Sequence, residues 1–256
     1  MSGLLDGKVA LVTGGSRGIG RGIALRLARE GCAVVAFTYH SDSSSAKSSA
    51  ADIEAAGADA IAIRARLEEP EEIRGLFTTL DRELEQRGHE PKLDILVNNA
   101  GSGGWDTFQT SVPETFDRII AIHARAPFFV TQAAARRLRD GARVINMSSG
   151  WSKHPSKLAP VYSMAKAAVN AMTEALAAEL GTRGITVNTI APGWTATDGN
   201  AELRKDPAIV AQVEKQTILG RFGEPADIAN VVALFASEQA GWVTGQYLGA
   251  NGGLAE

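Results

Sequence analysis

Cysteine is almost missing from this chain. Cys32 is the only one in 256 residues, so no internal disulfide can form. It lies in an apolar segment, where a small buried side chain is the plain expectation, and a reduced, cytoplasmic setting fits. Surplus positive charge is missing too. The net charge of −3 and the isoelectric point of about 5.9 argue against nucleic acid as a partner. No apolar run reaches the ~18 residues that a membrane span needs. The opening MSGLLDGKVALVTGG lacks the basic segment, apolar run and cleavage site of a secretory signal. The four histidines, at 40, 89, 123 and 154, show no metal-ligand spacing. Repeats and low-complexity stretches are absent as well. A composition of 45% hydrophobic and 21% charged residues leaves an ordinary globular protein, long enough for one large α/β domain spanning 1–256.

Seven short apolar runs read as strands, at 8–13, 33–38, 60–65, 93–97, 143–147, 184–190 and 246–248. Helical patterns lie between them, at 19–29, 43–56, 69–87, about 111–139, 162–180 and 226–237. Ser111-Val112-Pro113-Glu114 reads as a capping box with proline in the first turn, and Pro127 is expected to kink the helix that follows. Strands alternating with helices predict a parallel sheet covered on both faces. The polar stretch 86–92 is no domain boundary, because the next strand resumes the alternation. Residues 194–216 are polar and loosely patterned, which suits a substrate lid.

The first strand runs into Gly14-Gly15-Ser16-Arg17-Gly18-Ile19-Gly20 and then into a helix. Such a turn lets backbone approach a pyrophosphate that rests on the helix N-terminus. A site for NAD usually ends the second strand with an acid on the ribose hydroxyls. Here the end reads Phe37-Thr38-Tyr39-His40-Ser41, with no acid before Asp42. The missing carboxylate and the nearby Arg17 guanidinium favour a 2′-phosphate, hence NADP(H).

The chemistry is expected between Ser149 and Lys166. Tyr162 and Lys166 are four residues apart, so a helix puts both on one face. An ammonium beside a phenol favours the phenolate and lowers the tyrosine pKa from about 10. Such a tyrosine can give or take a proton. Ser149 follows the fifth strand, and its hydroxyl could hold a substrate oxygen. The set suits interconversion of a carbonyl and an alcohol.

Taken in order, these pieces resemble the classical short-chain dehydrogenase/reductase family. They are Thr13 to Gly20, Asn98-Asn99-Ala100-Gly101, Ser149 thirteen residues before Tyr162, Tyr162-Ser163-Met164-Ala165-Lys166, Pro192-Gly193, Gly245-Gln246 and Gly252-Gly253. Within that family the chain is most similar to the 3-oxoacyl-carrier-protein reductases and related ketoreductases. The resemblance implies a single Rossmann-type, doubly wound domain with a seven-stranded parallel sheet, assembled into dimers or tetramers through its long helices. It implies Tyr162 as general acid in reduction, Lys166 lowering its pKa and holding the nicotinamide ribose, and Ser149 on the carbonyl oxygen. Gly14, Ser16, Arg17, Gly18, Ile19 and Gly20 would line the pyrophosphate and adenosine end, with His40, Arg66 and Leu67 beyond them. Asn99, Ala100 and Gly101 would follow the ribose, and Pro192, Gly193, Thr195 and Thr197 the nicotinamide.

Two positions depart from the family pattern. His123 stands where the family usually has Asn, whose backbone carbonyl holds a water in a proton relay to the lysine. That backbone role survives a change of side chain; the sharper expectation is that His123 itself titrates near 6.5 and gates activity. Arg66 replaces an Asp that faces the adenine, so that contact is lost or replaced by stacking.

Trp105, Trp151 and Trp194 each follow a segment expected at the active site. They predict an apolar, aromatic-walled mouth for a bulky or aromatic ketone. Trp242 reads as structural or as a subunit contact. A substrate tied to a carrier protein would want a basic patch, for which Lys153, Lys157 and Arg125 are candidates. The leading expectation is therefore an NADPH-dependent ketoreductase. The alternatives are an NAD-dependent alcohol or steroid dehydrogenase, and a non-catalytic nucleotide-binding relative, which the intact Ser149, Tyr162 and Lys166 argue against.

Overall fold

The computed structural model describes residues 3–254; the ends of the expected domain, positions 1, 2, 255 and 256, lie outside the described residues. Seven strands form one sheet: β1 (Val9–Val12), β2 (Val34–Tyr39), β3 (Asp59–Arg64), β4 (Leu93–Asn98), β5 (Leu138–Met147), β6 (Thr186–Pro192) and β7 (Tyr247–Ala250). All neighbours pair in parallel, in the order β3-β2-β1-β4-β5-β6-β7. The helices are α1 (Gly18–Arg29), α2 (Ser43–Ala55), α3 (Pro70–Gln86), α4 (Pro113–Ile120), α5 (Ala126–Ala134), α6 (Pro160–Leu180), α7 (Pro207–Gln216) and α8 (Pro225–Ala236).

The strands are mostly apolar at their centres because both faces are buried. Val9 and Leu11 enter one core, with α3, α5 and α6; Ala10 and Val12 enter the other, with α1, α2 and α8. Successive side chains point to opposite faces, so a polar residue on either face needs a buried partner. Strand order reverses between β1 and β4. The loops leaving these two strands part there and open a crevice at the C-terminal edge of the sheet. No helix among the described residues is long and apolar enough to cross a membrane.

The expected helix at 111–139 is three pieces. Between α4 and α5 lies a π turn, Ala121–Arg125, in which the Ala126 N–H reaches back to the Ala121 carbonyl. The irregularity thus precedes Pro127. Proline has no N–H to continue regular bonding, so the loosened turn stands just before it. Ser111 and Glu114 form no capping box. The Ser111 hydroxyl donates to the Thr107 carbonyl at 2.8 Å, and the Val112 N–H reaches Thr115 Oγ1 at 3.4 Å. The helix stops at Ala134 because Arg137 folds back. Its guanidinium bonds the Ala133 carbonyl at 2.9 Å and Asp81 of α3 at 2.7 Å. Leu138 then pairs with Leu93, so β5 begins earlier than Arg143.

Near the crevice, one core face turns polar. Leu96, Val144 and Val187 give way, two residues on, to Asn98, Asn146 and Thr189, all buried. Asn98 Nδ2 donates to Thr131 Oγ1 of α5 at 2.9 Å and to Asn146 Oδ1 at 2.8 Å. Asn146 Nδ2 donates to Thr173 Oγ1 of α6 at 2.9 Å, and Thr189 joins the same oxygen at 2.7 Å. This ladder ties three strands to both helices beneath the site. Asn146 is its middle rung, and removing it breaks two buried hydrogen bonds and leaves one Asn98 amide hydrogen without an acceptor. Asn146→Ala should therefore lower the unfolding free energy by about 2–3 kcal/mol, read from the shift of the urea midpoint at constant slope.

Candidate active site

The crevice holds a cleft of about 570 Å³. Its floor at one end is the glycine turn. Gly14 has φ +69°, a conformation open to glycine. A Cβ on Gly20 would lie 2.1 Å from the Gly14 carbonyl and 2.4 Å from Asn99 Nδ2, so only glycine lets the helix start this close to the turn. The Gly14 N–H is held by Thr38 Oγ1 at 2.9 Å. Thr13 Oγ1 accepts the N–H groups of Asn99 and Ala100 at 2.9 and 3.0 Å, which fastens the loop after β4 to the end of β1.

Gly14, Ser16, Arg17, Gly18, Ile19 and Gly20 all line the cleft, as do His40 and Leu67. Asn99, Ala100 and Gly101 follow along its middle, and Pro192, Gly193, Thr195 and Thr197 border it from the loop after β6. Arg66 is the exception and does not line the cleft. Its backbone N–H and its Nε both bond the Glu72 carboxylate, at 2.6 and 3.4 Å, so the guanidinium is turned toward α3. Stacking by Arg66 is thereby set aside. Asp42 is occupied elsewhere, accepting from the Ser45 N–H and hydroxyl at 2.9 and 2.6 Å. The cleft end of β2 therefore presents Thr38, Tyr39 and His40 and no acid. Glu68, which the sequence did not single out, lines the cleft beside Leu67.

Ser149, Tyr162, Lys166 and His123 meet on one wall. Ser149 leaves β5 and opens a short 3-10 turn, its Oγ accepting from the Trp151 N–H at 3.3 Å. The Ser149 hydroxyl lies near enough to the Tyr162 phenol to favour its ionised form. Lys166 is buried and donates to the Met147 carbonyl at 2.8 Å, with its Nζ 5.7 Å from the Tyr162 ring centre. The expected lowering of the tyrosine pKa by this lysine does not appear. Burial pushes the Tyr162 phenol up, and the Ser149 hydroxyl opposes it. Burial also pushes Lys166 down to about 8. Desolvation favours the neutral form of each and outweighs the pairing that spacing alone suggests.

His123 sits in the π turn, 3% exposed. Its ring stands edge-on to Tyr162, with centres 4.9 Å apart. Nε2 is 2.8 Å from the Ser102 carbonyl, which can only accept, and 3.4 Å from the Ser102 N–H, which can only donate; the shorter contact places the proton on Nε2. Nδ1 is buried and unbonded. Burial, aided by repulsion from Lys166 and Arg118 and opposed by the Ser102 bond, pushes the imidazole pKa down to about 3. His123 is thus neutral throughout the ordinary range, which corrects the expectation of titration near 6.5. The imidazole also fills the space beside Gly101, where a Cβ would lie 2.6 Å from its Cε1.

The three tryptophans converge over Tyr162. Trp105 and Trp151 meet edge to face at 5.3 Å, Trp105 and Trp194 lie near-parallel at 6.3 Å, and Trp151 meets Tyr162 at 6.2 Å. Phe222 backs Trp194 at 6.3 Å, a contact that nothing in the sequence spacing signalled. Trp242 is fully exposed and so has no structural role in the core. The candidate carrier patch is not assembled. Arg125 bonds the Glu68 carbonyl beyond β3 at 2.6 Å, whereas Lys153 lies 4.0 Å from the ring centre of Tyr247 on β7, at the opposite edge of the sheet.

Comparison with known proteins agrees with this layout. Residues 14–255 match the family described as enoyl-(acyl carrier protein) reductase. The chain is 38% identical over 264 residues to a trihydroxynaphthalene reductase of Pestalotiopsis fici, covering 98% of this chain and 90% of that one. Among solved structures, the angucycline C-6 ketoreductase LanV with bound NADP superposes with a TM-score of 0.94 at 42% identity, covering 100% of this chain and 98% of the other. The promiscuous reductase LugOII, which catalyses keto-reduction at C1 during lugdunomycin biosynthesis, gives the same score and identity over 98% and 99%. With the glycine turn, the parallel sheet and the Ser149, Tyr162 and Lys166 wall in these positions, the chain belongs to the classical short-chain dehydrogenase/reductase family.

Proposed function

We propose that this protein is an NADPH-dependent ketoreductase acting on a flat, fused-ring aromatic ketone. The observation that carries the reading is Ser149 beside a Tyr162 phenol that burial keeps protonated, next to a cluster of three indoles of which Trp151 meets the Tyr162 ring. A protonated phenol is the form that reduction needs.

The residues present fit the cofactor. Gly14, Gly15 and Gly20 leave no room for a Cβ, and the end of β2 offers Arg17 nearby and no carboxylate. Gly14 to Gly20 would hold the pyrophosphate, Arg17 and His40 the 2′-phosphate side, Asn99 to Gly101 and Lys166 the nicotinamide ribose, and Pro192 to Thr197 the nicotinamide. When bound, NADPH supplies a hydride to the carbonyl carbon. Ser149 binds the carbonyl oxygen, and Tyr162 delivers its hydroxyl proton as charge builds there. Lys166, held by the Met147 carbonyl, supplies positive charge beside the phenol as it becomes anionic. Trp105, Trp151 and Trp194 exclude water and grip the apolar part of the ketone. Residues 194–216, which include two 3-10 turns and α7, are the proposed lid. Phe116, Phe128 and Met164 on α4, α5 and α6 are exposed apolar side chains, and they support assembly through these helices. The small-molecule reading is favoured over a carrier-bound substrate because the basic patch is dispersed.

NADPH and NADH compared with 2-tetralone and ethyl acetoacetate test the reading. NADPH-dependent turnover that favours 2-tetralone is expected, and preference for NADH would overturn the cofactor assignment. Arg17→Ala should raise KM for NADPH roughly tenfold while leaving KM for NADH nearly unchanged. Trp151→Ala and Trp194→Ala should each cut the efficiency ratio of 2-tetralone to ethyl acetoacetate by roughly three- to tenfold; an unchanged ratio counts against the aromatic mouth. Reduction should hold steady from pH 5 to 7 and fall as pH rises past about 8, where Lys166 gives up its charge. His123→Asn should leave that profile unshifted, because an imidazole with a pKa of about 3 is already neutral; a limb near 6.5 lost in the variant would contradict this.

A further inference from the structure

Helix α6 carries a third polar residue in register with the first two. Tyr162, Lys166 and Asn170 are spaced four apart, so they share one face. All three engage the segment that leaves β5. Tyr162 faces Ser149, Lys166 bonds the Met147 carbonyl at 2.8 Å, and Asn170 Nδ2 lies 2.8 Å from Ser152 Oγ. Ser152 Oγ in turn lies 2.6 Å from the Ser149 carbonyl.

The direction of this chain of bonds is forced. A carbonyl oxygen only accepts, so the single hydroxyl proton of Ser152 goes to Ser149. Asn170 must then donate to Ser152, which places its nitrogen there and leaves Oδ1 buried without a partner. The Ser149 carbonyl also takes the Ser152 N–H at 3.0 Å and, at 3.4 Å, the Tyr247 hydroxyl from β7. Three donors on one carbonyl hold the Ser149 peptide plane and with it the Cα–Cβ bond, and the Trp151 N–H, from the same turn, holds Oγ at 3.3 Å.

Resting on the ketoreductase reading above, we infer that Asn170 is a positioning residue, which orients Ser149 through the Ser152 hydroxyl so that the Ser149 and Tyr162 side chains converge on one substrate oxygen. What matters is that Asn170 donates, not that it fills space.

Asn170→Asp tests this directly. The shape is kept and the polarity reversed: a carboxylate takes the Ser152 proton, and the Ser149 carbonyl loses its strongest donor. Asn170→Ala leaves Ser152 free to keep donating. Three outcomes are expected at about pH 8 with 2-tetralone. Asn170→Asp and Ser152→Ala each lower kcat about tenfold with KM for NADPH unchanged, one tenfold step being one strong hydrogen bond. Asn170→Ala lowers it less than Asn170→Asp does. The Asn170→Asp loss is reversed as pH falls through about 5, when the carboxyl regains a proton to donate. The charged groups around position 170 are Lys166 and Glu174, one turn to either side on the same helix, and Lys153 on the facing turn; Asn170→Asp combined with Glu174→Gln assigns the limb to position 170. A merely structural role predicts the reverse order, with Asn170→Ala the worse, and no new pH limb, and that result would overturn the proposal. Crystal structures of Asn170→Asp and Asn170→Ala read the Ser149 Oγ to Tyr162 hydroxyl distance without any turnover. If the wild-type protein reduces no ketone, the ketoreductase reading fails, and an unmoved Ser149 in Asn170→Asp separately sinks the positioning role.

Discussion

The bond from the Lys166 ammonium to the Met147 carbonyl is the constraint on which the site depends. A buried ammonium without an acceptor is costly to desolvate. The end of β5 supplies that acceptor at 2.8 Å, and in doing so it locks α6 against the strand that delivers Ser149. Ser148 closes the same contact from the other side, its hydroxyl donating to the Lys166 carbonyl at 3.2 Å. Strand and helix therefore move as one body, and the residues they carry keep their separation. The buried ladder of Asn98, Asn146, Thr173 and Thr189 does the same one layer deeper, where apolar packing alone would permit sliding.

This arrangement also changes what the tyrosine–lysine pair means. Spacing along a helix gives proximity and so suggests mutual stabilisation of charge. It carries no information on how much water either group keeps. The folded protein removes that water from both, and the two groups drift toward neutrality rather than toward an ion pair. The same omission explains His123: an imidazole judged by its free pKa looks like a switch, yet burial, with repulsion from Lys166 and Arg118, keeps it uncharged against the pull of the Ser102 carbonyl.

Much of the architecture was legible because its signals are local. Buried parallel strands are short apolar runs, and the turn at Gly14 to Gly20 announces its own geometry. The cleft residues followed, since in this topology the ends of strands converge. What stayed hidden depends on partners far away in the chain. Ser111 has the right type and spacing for a helix cap, but Thr107 offers its hydroxyl a carbonyl first. Arg66 was placed by its position after β3, and Glu72 turned it away. The π turn has no composition of its own; only the missing N–H at Pro127 hints at it. Asn170 drew no expectation from the sequence, because its meaning lies in Ser152, a loop residue that no periodicity links to it.

The contact between Gly101 and the His123 ring has an evolutionary side. With a Cβ at position 101 only 2.6 Å from the imidazole, the two sites cannot vary independently. A smaller residue at 123 can arise while Gly101 is kept. A side chain at 101 is blocked until His123 has already shrunk. A lineage that puts a side chain at 101 must therefore move or shrink His123 first.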